Sequence, residues 1–245
     1  MNPILAHARG LFKNISPFEQ VSQLSSNGNL TPFLPKKLGL IFANNYIDTE
    51  YSLGDGPMND CLIMKDLLES KGFNVFIYSN ICSKDFIQII TNFISLNCEH
   101  VFIYNSGHGT HIEDTNGDES DKRDECLIFM EKNNEISIVS DDIINSTIKS
   151  FKRCKRLTLM SDSCHSGTVF DKFDDPSIVS ICSCQDNQTS KQGKLEILNC
   201  GFFTYCFCKY VSRGLPINEV IEKINQRLKK YDQNINILGN INLII

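Results

Sequence analysis

Short apolar runs alternate with segments of helical spacing from Lys37 onward. LGLIFAN is a continuous apolar run, and MNDCLIMKDLLESKGF follows it with apolar residues at helical intervals and Gly72 near its end. The unit recurs in NVFIYS and KDFIQIITNFISL, and HVFIYNSG is a further apolar run. Such runs indicate strands, and the 3.6-residue period indicates helices. Strands that alternate with helices predict a three-layer α/β fold, in which helices flank a mainly parallel central sheet.

The rest of the chain continues this alternation. ECLIFME, RLTLMSD and SIVSICS are predicted strands, DDIINSTIKSF is a predicted helix, and QDNQTSKQGKLE is a polar loop. GFFTYCFCKYVSRG and INEVIEKINQRLKKYDQ have helical spacing, and NINILGNINLII predicts a closing strand. Residues 1–36 are rich in Asn, Ser and Pro without a sustained period. We therefore expect an irregular N-terminal leader over residues 1–36 and one α/β domain over residues 37–245.

Composition and charge narrow the classes of function. The chain has 24 Lys and Arg against 29 Asp and Glu, a formal net charge of -5, whereas nucleic-acid binding needs clustered basic residues. No segment approaches the roughly 18 apolar residues of a membrane span, and residues 1–12 lack the apolar stretch of a secretory signal. Eleven cysteines are an odd number, which favours reduced thiols over a disulfide framework. We expect a cytoplasmic protein that binds neither nucleic acid nor membrane.

Two predicted strands end in reactive side chains. HVFIYNSGHGT places His108 between two glycines, and RLTLMSDSCHSG places Cys164 just after its strand. Functional groups collect at the carboxyl ends of parallel strands, and a thiol with an ordinary pKa of about 8.5 needs a base beside it. His108 suits that role better than His165, because adjacent side chains diverge. Taken singly, His108 could equally be a core histidine and Cys164 a buried apolar thiol.

The two motifs together resemble those of a known family. YNSGHGT and SDSCHSG are similar to the histidine and cysteine motifs of metacaspases, the caspase-like peptidases of protists, fungi, plants and bacteria. The resemblance runs from about Lys37 to the C terminus and implies a caspase-like fold and a cysteine endopeptidase. It makes His108 and Cys164 the expected catalytic pair. We expect the backbone N–H groups of Gly109 and Cys164 to hold the oxyanion.

An aspartate precedes the cysteine by two residues. In a persisting strand, Asp162 and Cys164 would share one face, and the carboxylate would raise the pKa of the thiol unless a cation such as a substrate Arg or Lys neutralised it. The metacaspase resemblance adds Asp60 as a second carboxylate, so that Asp60 and Asp162 select Arg or Lys, and Ser106 is expected to help shape this primary pocket. Asp60 also fits a carboxylate that interacts with a helix N-terminus. Family sequences usually have cysteine where this chain has Pro57.

A second acidic group lies in EDTNGDESDKRDE, which follows His108. It fails as an EF-hand, because the sixth position from Asp114 is Glu119 instead of glycine. The resemblance to metacaspases implies a different site, whose four carboxylates match the family's calcium ligands: Asp124, Asp141, Asp142 and Asp171. Oxygen ligands suit Ca2+, so we expect calcium to control activity. A plain solvated loop, with Asp141 and Asp142 as helix caps, is the alternative.

The expected partners are peptides or proteins with Arg or Lys at the cleavage site, and the resemblance favours a monomer. It also suggests a leader that covers the cleft and is removed by self-cleavage, with these candidate points: Lys36, Lys37, Lys172, Lys191 and Lys194. Two alternatives stay open. The chain could be an inactive caspase-like scaffold, or a caspase-like protease whose primary specificity is not basic.

Overall fold

The computed structural model describes residues 36–245 except for residues 115–116, 118–121, 132, 171–172 and 196–197. A six-stranded sheet forms the centre of this part, in the order β11-β8-β7-β3-β1-β2. Its strands are β1 (Lys37–Ala43), β2 (Asn74–Ser79), β3 (His100–Ser106), β7 (Leu157–Asp162), β8 (Ile178–Cys182) and β11 (Asn236–Gly239). All of these strands pair in parallel except β11, which is antiparallel to β8. The predicted mainly parallel sheet is confirmed.

Five helices in the described part match the predicted ones: α1 (Gly56–Ser70), α2 (Ser83–Ile94), α3 (Asp141–Phe151), α4 (Phe202–Ser212) and α5 (Ile217–Leu228). They cover both faces of the sheet, because neighbouring strand residues point to opposite sides. Leu40 packs with Phe86 of α2 and Ile148 of α3 in one core. Ile41 packs with Phe203 of α4 in the other. This is the predicted three-layer α/β arrangement.

Two smaller antiparallel sheets were only partly predicted. One contains β4 (Gly109–Glu113), β5 (Arg123–Met130) and β6 (Ile136–Ser140), in the order β4-β5-β6. The other is the hairpin of β9 (Gln192–Leu195) and β10 (Leu198–Gly201). The sequence pattern indicated β5 alone and assigned all of β9 to a loop. The missed strands have four or five residues and are largely half-buried or exposed, so no continuous apolar run marks them.

The predicted closing strand is shorter than its apolar pattern. β11 ends at Gly239, whose φ of +97° is a conformation that favours glycine. One turn of 3-10 helix (Ile241–Leu243) follows. The Thr158 hydroxyl lies within hydrogen-bonding distance of the carbonyls of Leu243 and Ile244, at 3.2 Å from each. The end of the chain therefore docks on β7 instead of extending the sheet.

The thiols are mostly inside the protein. All eleven cysteines are free, and nine of them are buried, whereas Cys82 and Cys164 are partly accessible. Burial raises the pKa of buried thiols such as Cys126 and Cys154, each to about 12. In the described part of the chain, no helix is long and apolar enough to cross a membrane.

The leader predicted over residues 1–36 falls almost entirely outside the described residues, so the boundary at residue 36 stays a prediction. Lys36 itself is already held at the sheet, since its carbonyl accepts the N–H groups of Glu99 at 2.8 Å and His100 at 3.1 Å. Cleavage at Lys36 or Lys37 would therefore require the start of β1 to separate from β3. Lys191 and Lys194 are exposed, and Lys172 lies outside the described residues.

Candidate active site

Three adjacent strands bring the predicted site residues to one edge of the sheet. The register aligns Ala43 of β1 with Ser106 of β3, and Ser106 with Asp162 of β7. His108 follows β3 by two residues and Cys164 follows β7 by two. Because parallel strands end at a common edge, the loops after these strands surround one cleft.

Close backbone packing joins the histidine loop to the cysteine. A side chain at Gly109 would collide with the carbonyl oxygen of Cys164 and would also crowd the hydroxyl of Ser163. Glycine is therefore the residue that lets the two loops touch. The main-chain N–H groups of Gly109 and Cys164 belong to these touching segments, which suits the oxyanion role expected for them.

The imidazole of His108 is held by a backbone carbonyl. Its Nε2 lies 2.7 Å from the carbonyl oxygen of Tyr51, and its ring is tilted against the ring of Tyr46 with centroids 4.7 Å apart. A carbonyl only accepts hydrogen bonds, so Nε2 must carry the proton. Nδ1 is then the ring nitrogen with a lone pair that can take a proton from a thiol. No sequence motif could predict the contact between His108 and the Tyr51 carbonyl, because every residue has a main-chain carbonyl.

The thiol of Cys164 is poorly ionised in this environment. Burial raises its pKa and the charge of Asp162 raises it further, whereas a hydrogen bond with the Ser190 main chain and the charge of Lys191 lower it. The sulfur lies 3.8 Å from the carbonyl oxygen of Ser190. A nucleophile in this state needs a base and a change in local charge before it reacts.

Asp60 is a buried carboxylate whose hydrogen-bond donors are neutral. The Ser106 hydroxyl donates to it at 2.9 Å, and the N–H of Gly201 donates at 2.8 Å. Burial raises the pKa of Asp60 well above its usual range, and the charge of Asp162 raises it further. A side chain at Gly201 would collide with Asp162 and crowd Asp60, so this glycine lies against both carboxylates.

Asp162 is buried in the same way. Thr204 donates to it from its main-chain N–H at 3.2 Å and from its hydroxyl at 2.6 Å, and the Ser190 hydroxyl donates to its other oxygen. The Tyr104 hydroxyl lies 2.6 Å from the Thr204 side-chain oxygen and forms a hydrogen bond with it. Burial raises the pKa of Asp162 despite these donors.

In the described part of the chain, no ion pair includes Asp60 or Asp162, whereas Lys36–Glu99, Lys65–Glu69 and Lys152–Asp175 do pair. Two carboxylates that share one buried site repel each other and lose hydration, which is costly without a cation. The pocket is therefore electrostatically suited to a positively charged group.

Sequence reasoning missed two residues of this pocket. Ser190 lies in the polar loop QDNQTS, to which no chemistry was assigned, and its hydroxyl also lies 3.3 Å from the Nε2 of Gln233. Thr204 was counted as part of a helix only. The signal for Thr204 was its polarity within the apolar run GFFTYCFC, at a position that is fully buried.

The expected calcium ligands lie where β5 and α3 begin. Asp124 and Asp141 are buried, and Asp141 accepts the N–H of Glu125 at 3.2 Å and of Asp142 at 2.7 Å. Asp141 thus ties two segments together and also accepts a hydrogen bond from the next residue in the first turn of its own helix, whose N-cap is Ser140. Asp171 lies outside the described residues.

The donor set of this acidic group fits Ca2+ in part. Its side chains offer oxygen ligands from two segments, as that cation requires. Within the described part of the chain, no group of three or more His, Cys, Asp or Glu side chains is close enough to hold a metal ion. The fourth expected ligand belongs to a segment that the structure does not describe.

Comparison with known proteins places this architecture in context. The sequence profile of a family described as the caspase domain matches residues 36–239. Metacaspase-6 of Arabidopsis thaliana is 26% identical over 208 residues, which cover 78% of this chain and 52% of that protein. Metacaspase-1 of Saccharomyces cerevisiae is 37% identical over 73 residues, which cover 30% of this chain and 17% of that protein. The chain thus spans about half or less of the length of these curated relatives.

A solved structure gives the same result for the fold. The crystal structure of a protein from Geobacter sulfurreducens superimposes with a TM-score of 0.64 at 22% sequence identity. The match covers 84% of this chain and 94% of that one. At this identity the likeness concerns the fold alone, and it supports a caspase-like arrangement of the sheet and helices.

Proposed function

Because this chain belongs to the caspase-domain family of cysteine peptidases and is distantly homologous to metacaspases, we propose that it is an endopeptidase that cleaves after Arg or Lys. The observation that carries the specificity is the buried pair of Asp60 and Asp162, which has no cation beside it in the described part of the chain. A guanidinium or ammonium group would neutralise the pair and form charge-assisted hydrogen bonds. Caspase-type selection of acidic residues would place a third negative charge there.

The chemistry follows from the tautomer of His108. Nδ1 takes the thiol proton while the sulfur of Cys164 attacks the main-chain carbonyl carbon of the basic residue. The N–H groups of Gly109 and Cys164 stabilise the oxyanion. The imidazolium then gives its proton to the departing amine, which leaves an acyl-enzyme. A water molecule, deprotonated by Nδ1, attacks the acyl carbon and releases the carboxylic acid and the free thiol.

Binding of the basic side chain also activates the nucleophile. In the free enzyme the charge of Asp162 raises the pKa of the Cys164 thiol. A substrate cation on Asp162 cancels that charge, so the thiolate becomes easier to form when the correct substrate is present. The same carboxylate therefore contributes to both binding and rate, and a peptide with a neutral residue at this position gains neither.

Calcium is the proposed control of this activity. Asp124, Asp141, Asp142 and Asp171 would hold the ion, and the homology to metacaspases supports this assignment. Bound Ca2+ would neutralise these carboxylates and cross-link the segments that carry them. β5 pairs with β4, which starts directly after His108, so ordering this sheet orders the histidine loop. We also propose that the protein acts as a monomer on peptide or protein substrates.

The test is hydrolysis of fluorogenic peptides that end in Arg, Lys or Asp before the reporter group. Each is assayed with millimolar Ca2+ or with EGTA, for the native protein and for Cys164→Ala. We expect cleavage after Arg and Lys that requires Ca2+ and disappears in Cys164→Ala. Cleavage after Asp or small residues would overturn the roles of Asp60 and Asp162. Folded protein without turnover on any peptide, even after limited proteolysis of the leader, would favour an inactive scaffold.

A further inference from the structure

The strand pair that begins at His108 has an interrupted hydrogen-bond ladder. Gly109 of β4 lies opposite Leu127 of β5, which places His108 opposite Ile128. The Ile128 N–H donates to the His108 carbonyl at 3.2 Å. The reciprocal bond is replaced by a hydroxyl, because Tyr46 accepts the His108 N–H at 2.9 Å and donates to the Ile128 carbonyl at 2.8 Å. The Tyr46 oxygen is thus inserted into the ladder beside the histidine.

This hydroxyl is built into the interior. Tyr46 is 1% exposed, and burial raises the pKa of its phenol above the ordinary value, so it stays a protonated donor. A side chain at Gly107 would collide with the Tyr46 oxygen, so the glycine before His108 provides the space for it. The phenol ring also lies against the imidazole. The Tyr46 side chain therefore contacts both the main chain and the imidazole ring of His108.

The tyrosine is itself fixed by a residue from another strand end. Its φ of +52° lies in the left-handed region that is uncommon for an aromatic residue. The Asn80 side-chain oxygen, just after β2, accepts the N–H groups of Asn45 at 2.9 Å and Tyr46 at 3.3 Å. The Thr49 hydroxyl donates to the Tyr46 carbonyl at 2.6 Å. These bonds hold the loop that also presents the Tyr51 carbonyl to His108.

We propose that Tyr46 is a positioning residue for the catalytic histidine and that Asn80 anchors it. This inference rests on the proposed function only for the role of His108. Without the hydroxyl, the ladder closes directly between His108 and Ile128, and the histidine moves toward β5. Its Nε2 then leaves the Tyr51 carbonyl, and the tautomer that keeps Nδ1 free to act as a base is no longer fixed. Since Tyr46 is almost fully buried, a substrate does not reach it, and the loss falls on kcat.

Tyr46→Phe tests the proposal, with Tyr78→Phe as its matched control. Tyr78 is also buried, with its ring stacked on Phe42 at 5.4 Å in the core between the sheet and α2. We expect Tyr46→Phe to lower kcat about 10- to 100-fold, as a small misplacement of a catalytic group does, with KM within about threefold. Tyr78→Phe should keep the native kcat. A native kcat for Tyr46→Phe would overturn the proposal.

A second readout separates this inference from the proposed function. Imidazole nitrogen NMR of His108 should show a single tautomer protonated at Nε2 in the native protein and a mixture in Tyr46→Phe. Gly107→Ala, which fills the space of the hydroxyl, should produce the same mixture. If the native protein hydrolyses no peptide, the proposed function fails, and the NMR signals still decide the role of Tyr46. Identical tautomer signals in native protein and Tyr46→Phe would refute it.

Discussion

Two acidic groups of this protein are similarly buried and yet differ in how they are bound. Asp60 lies in α1 and Asp162 is the last residue of β7, and the two accept most of their hydrogen bonds from hydroxyl groups. Asp141 instead accepts two main-chain N–H groups, which join β5 to the start of α3. Hydroxyl groups can turn when a ligand enters, whereas main-chain donors are fixed by the fold. The first group therefore suits the mobile cation that the proposed function assigns to it, whereas Asp141 holds two segments together.

The difference teaches that burial of a carboxylate does not by itself assign its role. The pocket pair is destabilising for the free protein, because two buried carboxylates repel each other and no ion pair in the described part of the chain includes either of them. Asp141 contributes to the structure through its main-chain bonds alone. Substitutions by Asn keep the shape of each side chain and remove the charge, so they separate the two cases.

The largest expected effect is that of Asp162→Asn. Loss of the charge that receives the substrate cation should lower kcat/KM for Arg peptides about a thousandfold, as breaking a buried charge pair does. Asp141→Asn should keep the preference for Arg over neutral residues. Steady-state kinetics on matched Arg and citrulline peptides measure both. If Asp162→Asn still prefers Arg over citrulline, Asp162 does not bind the substrate cation, and the contrast between Asp162 and Asp141 fails.

Asp141→Asn should change the response to calcium instead. Removing one carboxylate ligand is expected to raise the Ca2+ concentration for half-maximal activity about 10- to 100-fold. The activity at saturating calcium should stay near that of the native protein. A calcium titration of the hydrolysis rate measures this, with Asp162→Asn as the counterpart whose calcium midpoint is unchanged. An unaltered midpoint in Asp141→Asn would mean that Asp141 is not a calcium ligand.

Lowering the pH should weaken binding of the substrate cation in the pocket at a pH above the range in which an ordinary carboxylate takes up a proton. Burial raises the pKa of both Asp60 and Asp162, so they take up protons at a pH above the usual Asp range of about 4. The ratio of kcat/KM for Arg to that for citrulline peptides should therefore fall as the pH is lowered through that raised pKa. The same profile measured on Asp141→Asn should fall at the same pH. A ratio that stays flat down to pH 4 would contradict the prediction.

The smallest effect concerns stability, and its sign is opposite for the two groups. With the folded pKa of Asp60 raised, the stabilisation from binding its proton is complete below about pH 4 and is lost as the pH rises through the folded value. Asp60→Asn removes that loss, because the amide can accept from Gly201 and donate to Ser106. A gain of about 1 kcal/mol would raise Tm by about 2–4 °C at neutral pH.

Thermal unfolding followed by circular dichroism at several pH values checks this prediction. The gain for Asp60→Asn should shrink as the pH approaches 4, and Asp141→Asn should lower Tm because a main-chain N–H loses a charged acceptor. A lower Tm for Asp60→Asn at neutral pH would mean that the pocket pair does not strain the free protein.

The sequence predicted the structure best where burial in the core determines the pattern of apolar residues. β1, β3 and β7 lie between helix layers, so their continuous apolar runs identify them, and the five helices have clear periods. β4, β6, β9 and β10 are four or five residues long and only partly buried, so no common apolar pattern marks them. The edge of the fold is therefore less predictable than its centre.

The candidate site divides in a similar way. His108, Cys164 and Asp162 were predicted because reactive or charged side chains stand out at strand ends, and Asp60 because it matches a family motif. The supports of these residues act through carbonyls, N–H groups and single hydroxyls, which many residue types could provide. Tyr46 is the clearest example, since only the folded chain shows its oxygen between two strands.

The burial of nine thiols makes the protein selectively addressable by chemical probes. An electrophile applied under native conditions reaches only Cys82 and Cys164, since the other nine thiols are buried. Intact mass after labelling should thus reveal at most two adducts, and a Cys82→Ser variant should reveal one. A dye or a peptide warhead can then be attached to the presumed nucleophile without removing the other nine thiols, and its stoichiometry directly counts competent molecules in a preparation.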